Sequence, residues 1–223
     1  MKIRCSQIGK LMAASRTKGE QLSKTAKSYI QELVLEHKYG IKKEFYSRYT
    51  DKGNECEEES ITLANEVLNV GFIYKNEEHF QNDWITGTPD VNTDEILLDV
   101  KTSWDATTFP FFEDEIPNKD YYYQLQGYCW LTGKEEASLV YCLTNTPQEM
   151  VEDEVRREHW KQHAIDESEE IRAFVEAKHN FDHIPKEKRL KVFKIEKDEE
   201  VIEQIKEKIA IARNYYNQLI ETI

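Results

Sequence analysis

Apolar residues recur at helical spacing in six stretches of the chain. Ser6 and Ser23 stand at the start of the first two stretches, where a serine side chain can accept a hydrogen bond from a free backbone N–H group. Thr146 and Pro147 begin the fifth, with Thr146 as the cap and Pro147 in the first helical position. The pattern predicts helices over residues 6–14, 23–39, 51–69, 121–131, 146–178 and 198–220.

Shorter apolar runs with strand-like alternation lie between these helices. They predict strands over residues 71–76, 79–80, 83–86, 95–103, 138–144 and 189–195. This order of elements favours an α/β (α+β) fold, with a central mixed β-sheet flanked by helices and with further helices at both ends. We expect residues 1–223 to form one domain, divided into a helical basic segment (1–50), a core (51–145) and a helical part with one strand (146–223).

The strand predicted over residues 95–103 carries two opposite charges on one face. Residues i and i+2 of a strand point the same way, so Asp99 and Lys101 stand side by side while Val100 points into the opposite layer. Asp90 follows Pro89 just before this strand, where an ordinary turn aspartate is the alternative interpretation. Charges on an apolar strand are costly unless they serve a function, so these residues mark a candidate site.

Charge is unevenly distributed along the chain, although its net charge is -13. Residues 1–50 hold eleven Lys and Arg against four Glu, a net charge of +7, which allows a basic binding face on an acidic body. The four cysteines show no CxxC spacing, which disfavours a zinc or iron–sulfur site. The chain has no 18-residue apolar run and no apolar signal core, so we expect a cytoplasmic protein without a membrane partner.

The carboxylates of the candidate site suit phosphodiester hydrolysis. That reaction needs a cation that neutralises developing charge and lowers the pKa of the attacking water, and Mg²⁺ prefers oxygen ligands. Asp90, Asp99 and the backbone carbonyl of Val100 could supply these ligands. Lys101 would then lie near the water or the scissile phosphate and help to orient or deprotonate the water.

Four motifs resemble those of one enzyme superfamily. Gly-Thr-Pro-Asp at 87–90 followed by Asp-Val-Lys at 99–101 is similar to the bipartite motif of the PD-(D/E)XK nucleases, with Asp in a position often held by Glu. Residues 53–60 resemble the helix-borne G-x-x-x-E-x-x-A/S motif, and residues 123–128 resemble the Q-x-Q-x-Y element. Residues 6–11 are similar to the opening helix of the YqaJ and lambda-exonuclease branch.

The resemblance implies a restriction-endonuclease-like core and DNA cleavage dependent on Mg²⁺, with Mn²⁺ as a substitute. The nearest branch implies a phage or prophage exonuclease that degrades double-stranded DNA ends from 5′ to 3′ for recombination. It also implies a single-strand annealing protein as partner and a ring-shaped homotrimer.

The resemblance implies roles for individual residues. Glu57 becomes a catalytic acid and metal ligand, and Gln124 a catalytic residue that shares a helix face with Tyr128. Ser6, at a helix N-terminus, is a candidate contact for a 5′-phosphate. Thr88 and Tyr128 are further candidate substrate contacts. In the lambda branch an arginine upstream of the opening helix helps to bind the terminal phosphate, but only Lys2 and Arg4 precede Ser6 here, too close for a straightforward match.

The same residues also allow other interpretations. If the motif register differs, Glu55, Glu58 or Glu59 takes the role of Glu57, and a solvated acidic helix start is the plain interpretation of all four. Ser6 could act only as an N-cap. A structure-specific or restriction-type endonuclease has the same motifs, and a non-catalytic DNA-binding module has the same fold.

Overall fold

The chain forms eight α-helices and seven β-strands in the residues that the computed structural model describes, which are 1–44, 46–163 and 168–223. The helices are α1 (Ile8–Met12), α2 (Lys24–Tyr39), α3 (Arg48–Glu55), α4 (Glu57–Leu68), α5 (Lys119–Thr132), α6 (Gln148–Lys161), α7 (Glu169–His179) and α8 (Glu199–Thr222). The strands are β1 (Ile3–Arg4), β2 (Phe80–Gln81), β3 (Ile85–Gly87), β4 (Val91–Asn92), β5 (Leu97–Thr102), β6 (Glu136–Cys142) and β7 (Leu190–Glu196). None of the described helices combines the length and hydropathy that a bilayer crossing requires.

The central sheet has the strand order β4-β5-β6-β7. Strand β5 runs parallel to β6, with Asp99 opposite Leu139, and the other two pairings are antiparallel. A second, three-stranded sheet has the order β1-β3-β2. The predicted fold class, a mixed sheet flanked by helices, is therefore confirmed.

Helices cover both faces of β5 and thereby separate its alternate side chains. Leu97 lies in the core formed with α5, α1, α2 and α8, whereas Leu98 and Val100 lie in the core formed with α4. Residues 97, 99 and 101 share one face of the strand. Asp99 and Lys101 therefore face α5, and Val100 points to the opposite layer, as predicted.

Helices α1 and α5 pack so closely that a glycine is required between them. A Cβ atom at Gly9 would lie 2.7 Å from the backbone Cα of Asp120. We predict that Gly9→Ala lowers the free energy of unfolding by roughly 1–3 kcal/mol, measured by urea denaturation, because backbone must move to admit the methyl group. Gly53→Ala in α3 is the control: its Cβ would meet nothing within 4 Å. An unchanged free energy for Gly9→Ala would contradict this packing.

Two of the predicted helices are each divided into two. The helix predicted over 51–69 breaks at Cys56, whose φ of -96° and ψ of 8° end α3 and begin α4. A one-residue break leaves the apolar spacing nearly unchanged, so the sequence gives no sign of it. The region predicted over 146–178 forms α6 and α7, and the prediction for residues 164–167 lies outside the described residues.

Both predicted caps at Ser6 and Thr146 are wrong, whereas Ser23 caps α2 as predicted. Ser6 lies inside a 3₁₀ turn, Cys5–Gln7, and α1 begins only at Ile8. A 3₁₀ turn places residues i and i+3 on the same side, which lets Cys5 and Ile8 both be buried. The Thr146 hydroxyl shares a 2.8 Å hydrogen bond with His179 Nδ1 and does not cap α6.

The strand predicted over residues 71–76 is also absent. The backbone N–H of Ile73 donates to the Asn65 side chain, and that of Asn76 donates to the Asp90 carbonyl. These groups are satisfied without a strand ladder, although Ile73 is buried as the apolar pattern requires.

Candidate active site

Asp99 is a deeply buried carboxylate of the candidate site, with 1% of its surface exposed. Its Oδ2 lies 2.6 Å from Lys101 Nζ, and its Oδ1 accepts a 2.8 Å hydrogen bond from Gln124 Nε2. Strand β5 supplies the two charges and α5 supplies the amide. The structure therefore brings these three predicted residues into direct contact.

Gln124 is held by a second residue of the same helix. Its Nε2 also donates to the Tyr128 hydroxyl at 3.0 Å, and that hydroxyl donates to the Thr88 carbonyl at 3.2 Å. Tyr128 is only 4% exposed. The Thr88 side chain is exposed and forms a hydrogen bond with Nδ1 of His79. This geometry favours a positioning role for Tyr128 over the predicted substrate contact.

Asp90 is fastened to β5 through a backbone amide. Its Oδ2 accepts a 2.6 Å hydrogen bond from the N–H of Val100. In a strand the N–H and C=O groups of one residue leave on the same side, so the Val100 carbonyl also points toward Asp90. The Asp90 carboxylate and the Val100 carbonyl are thus two oxygen donors on one side of β5.

Electrostatics couple these groups. Burial is the largest effect that raises the pKa of Asp90 from 3.8 to about 7, and the negative charge of Asp99 is the next. The positive charge of Lys101 lowers this pKa but does not cancel them. Burial alone lowers the pKa of Lys101, but Asp99 and Asp90 together outweigh it and raise that pKa above its ordinary value. Lys101 is therefore a protonated cation in this arrangement and is poorly suited to act as a base.

The raised pKa of Asp90 makes the stability of the metal-free protein depend on pH. A folded-state pKa above the unfolded value stabilises the fold fully below the unfolded pKa, and the contribution is lost as pH rises through the folded pKa. We predict that the melting temperature in chelator changes with pH less favourably in the wild type than in Asp90→Asn as the pH rises from about 4 to about 7. Parallel profiles for the two proteins would contradict the shift.

Glu57 is distinguished from the neighbouring glutamates by its position. It lines the cleft from the first turn of α4, while Glu55, Glu58 and Glu59 are exposed and do not line it. Its carboxylate forms an ion pair with Lys75. The geometry therefore favours Glu57 among the four.

A cleft of about 600 Å³ brings most of the candidates together. Those lining it are Ser6, Glu57, Asp90, Val100, Lys101 and Gln124. Tyr49 and Trp104 form a further part of the wall that the sequence did not indicate, and the Arg48 guanidinium lies 4.9 Å from the Trp104 ring centroid. Arg48 is held in turn by Glu154 at 2.8 Å.

Lys52 is a buried cation that sequence reasoning missed. It has 0% exposure, and its Nζ donates at 2.9 Å to the carbonyls of Trp104 and Thr144, which follow β5 and β6. Burial lowers the pKa of Lys52 to about 8. It joins α3 to the sheet edge at the cleft, but a lone lysine in a polar helix gives no signal of that contact.

The donor set fits a hard divalent cation bound with water. Within the described residues no three His, Cys, Asp or Glu side chains converge into a closed metal cage. Mg²⁺ does not need one, because one or two carboxylates with waters and substrate oxygens suffice. The Asp99 carboxylate has one ion-pair partner, Lys101, and one hydrogen-bond donor, Gln124, so it retains lone pairs that a cation could use.

Comparison with solved structures finds proteins of the same fold over the whole chain. A phage-related exonuclease from Haemophilus somnus 129PT is 31% identical, with a TM-score of 0.81, 100% of this chain and 96% of that chain covered. An alkaline exonuclease from Laribacter hongkongensis is 16% identical, with a TM-score of 0.66. The match covers 99% of this chain and 90% of that chain. The structure of its complex with dAMP is 17% identical in sequence to this chain, with a TM-score of 0.65. No family model and no curated protein matches the sequence.

Proposed function

Because the chain belongs to the family of phage-related exonucleases, we propose that its DNA exonuclease activity requires Mg²⁺ and proceeds from 5′ to 3′ at double-strand ends. Membership confirms the resemblance to the YqaJ and lambda-exonuclease branch of the PD-(D/E)XK nucleases. The observation that carries the metal dependence is the buried contact of Asp99 with Lys101 and Gln124, beside the Asp90 carboxylate. Mn²⁺ is expected to substitute for Mg²⁺.

Asp90, Asp99, the Val100 carbonyl and Glu57 are the residues that would hold the ion. When bound, it supplies a water of lowered pKa and neutralises charge on the scissile phosphate. Burial and the charge of Asp99 raise the pKa of Asp90, and a cation held by both carboxylates would favour the ionised form of Asp90, which supports this assignment. Cleavage would be an in-line attack of water on phosphorus that breaks the P–O3′ bond, which leaves a 5′-phosphate on one product and a 3′-hydroxyl on the other.

Lys101 and Gln124 contact different oxygens of Asp99, and both line the cleft in which the reacting atoms would lie. The Lys101 ammonium stays protonated and stabilises negative charge at the phosphate. The Gln124 amide group is fixed by its two donated hydrogen bonds, and its carbonyl oxygen accepts none from the described residues. That oxygen is available to orient the attacking water.

Tyr128→Phe tests the positioning of Gln124. The variant keeps the ring and removes the hydroxyl between Gln124 and the Thr88 carbonyl. We predict a cleavage rate about 5-fold lower, the equivalent of one hydrogen bond near 1 kcal/mol, measured in single-turnover reactions with saturating metal. Tyr122→Phe, on the same helix, should leave the rate unchanged, and an equal loss in both variants would contradict the role.

DNA is proposed to enter along the basic N-terminal segment. Ser6 lines the cleft, and this position supports the proposal that it contacts the 5′-phosphate. Lys2 and Arg4 are engaged with Gln81 and Glu36, so they are poor candidates for that phosphate. A single-strand annealing protein as partner, a homotrimer and a site of action in the cytoplasm of a bacterial host follow from the family and belong to the same proposal.

Polarity is tested with duplexes that differ only in their ends. Linear DNA with a 5′-phosphate and a label at either the 5′ or the 3′ terminus should lose the 5′ label first, and a 5′-hydroxyl duplex should be degraded more slowly. Ser6→Ala should reduce the preference for the phosphate. Loss of the 3′ label first would overturn the proposed direction.

A further inference from the structure

The irregular segment between α4 and β2 reaches the candidate site at two points. Its residues 73–76, here called the support segment, begin with Ile73, which is 4% exposed in the core beneath α4. The Ile73 N–H donates to Asn65 Oδ1 at 3.1 Å, so the segment is fixed to α4. The next two contacts of the support segment are with proposed metal ligands.

Asn76 holds the backbone that carries Asp90. Its N–H donates to the Asp90 carbonyl at 2.8 Å, and its Nδ2 donates to the Pro89 carbonyl at 2.9 Å and to the Glu78 carbonyl at 3.1 Å. The side chain is 9% exposed. Partners that orient a metal ligand without touching the metal commonly change metal affinity when they are removed.

Lys75, the preceding residue, acts on Glu57. Its Nζ pairs with Glu57 Oε2, and the two side chains are 45% and 25% exposed. The ammonium therefore occupies a carboxylate oxygen of a proposed metal ligand. A divalent cation that binds this oxygen therefore competes with the lysine for it.

We propose that the support segment sets the metal affinity of the active site through two opposing contacts, in which Asn76 holds Asp90 ready for the cation and Lys75 competes with the cation for Glu57. This rests on the ligand set of the proposed function. An exposed ion pair contributes little, so removing Lys75 tightens binding by about 2- to 5-fold. Removing the Asn76 side chain weakens binding by about 10-fold, the effect of losing an orienting partner.

The experiment measures metal binding without DNA, by calorimetric titration of Mn²⁺ and by the rise in melting temperature that Mn²⁺ produces. Lys75→Met should bind more tightly than the wild type, and Lys75→Arg, which keeps the pair, should match it. Asn76→Ala should bind more weakly. Lys186→Met is the matched control, because Lys186 pairs with Glu66 on the same helix α4 but away from the cleft.

Opposite changes in affinity from adjacent residues separate this proposal from general destabilisation, which would weaken binding in both variants. Unchanged or weaker binding by Lys75→Met, or unchanged binding by Asn76→Ala, overturns it. If Asn76→Ala does not fold, Asn76→Ser takes its place, since it too loses the bond to Pro89. Mn²⁺ binding that is indifferent to Glu57→Gln also overturns the competition.

Nuclease assays run in parallel distinguish the two levels of the proposal. A wild type that binds Mn²⁺ but degrades no linear DNA contradicts the proposed function and leaves the affinity comparison standing. A wild type that degrades DNA, with affinities that do not separate Lys75→Met from Lys186→Met, contradicts only the role of the support segment.

Discussion

Asp99→Asn is expected to abolish DNA degradation, lowering the rate by about 10³-fold or more, because the metal-assisted step loses its central carboxylate. Asn has nearly the shape of Asp but lacks the charge. Asp99 is 1% exposed and contacts both Lys101 and Gln124, so solvent cannot compensate for the loss of its negative charge. The neutral amide would also leave the Lys101 ammonium without its closest partner.

The rate should be measured in single-turnover reactions on a 5′-phosphorylated linear duplex, with DNA binding followed separately in Ca²⁺. Binding should be retained, since the duplex is held mainly through its phosphates. Glu95→Gln is the control, an exposed acid on the connection between β4 and β5. Activity within tenfold of the wild type in Asp99→Asn would remove Asp99 from the catalytic centre.

Lys101→Met is expected to lower the cleavage rate by about 10²- to 10³-fold, the usual cost of removing a group that stabilises transition-state charge. Metal binding should survive, because the ammonium is a competitor for Asp99 and not a ligand. Lys101 also lowers the pKa of Asp90, so its loss raises that pKa. Mn²⁺ binding by the variant should therefore need a higher pH than in the wild type.

The lower cleavage rate of Lys101→Met is measured at saturating metal. The change in the pH dependence of Mn²⁺ binding is measured by Mn²⁺ titrations at several pH values. Lys194→Met, which removes an exposed lysine on β7, is the control and should change neither. A variant whose rate recovers fully in excess metal would show that Lys101 supports only the metal site. A rate equal to that of the wild type at all metal concentrations would exclude any role for it.

The sequence was sufficient to predict the main layers of the fold and the placement of Asp99 and Lys101 side by side on one strand. Alternation along residues 95–103 predicted that Asp99 and Lys101 share a face while Val100 lies opposite, and both cores have that arrangement. Strict period-two geometry makes such a prediction secure, because slipping by one residue would bury the charges in the wrong layer.

Contacts between distant parts of the chain could not be predicted in this way. The link from Asn76 to Pro89 and the burial of Lys52 between two carbonyls depend on how loops and helix ends meet in three dimensions. Neither contact has a periodic signature. The break at Cys56 is similarly invisible, although it places Glu57 in the first turn of a new helix.

Resemblance supplied residues but not always their contacts. It identified Gln124 and Tyr128, whose four-residue spacing places them on one helix face, and the hydrogen bond between them agrees with that spacing. It did not reveal that Tyr128 is buried and bonded to the Thr88 carbonyl. Side-chain burial on an amphipathic helix depends on the partner elements, which the motif alone does not specify.

The most direct test of the account compares linear duplex DNA with the same DNA as a covalently closed circle, each with Mg²⁺ and with chelator. We predict that the linear DNA is degraded to completion only with Mg²⁺, that the circle stays intact, and that Asp99→Asn degrades neither. Degradation of the linear DNA in chelator would contradict metal-assisted cleavage at Asp90 and Asp99, and cutting of the closed circle would contradict attack from an end.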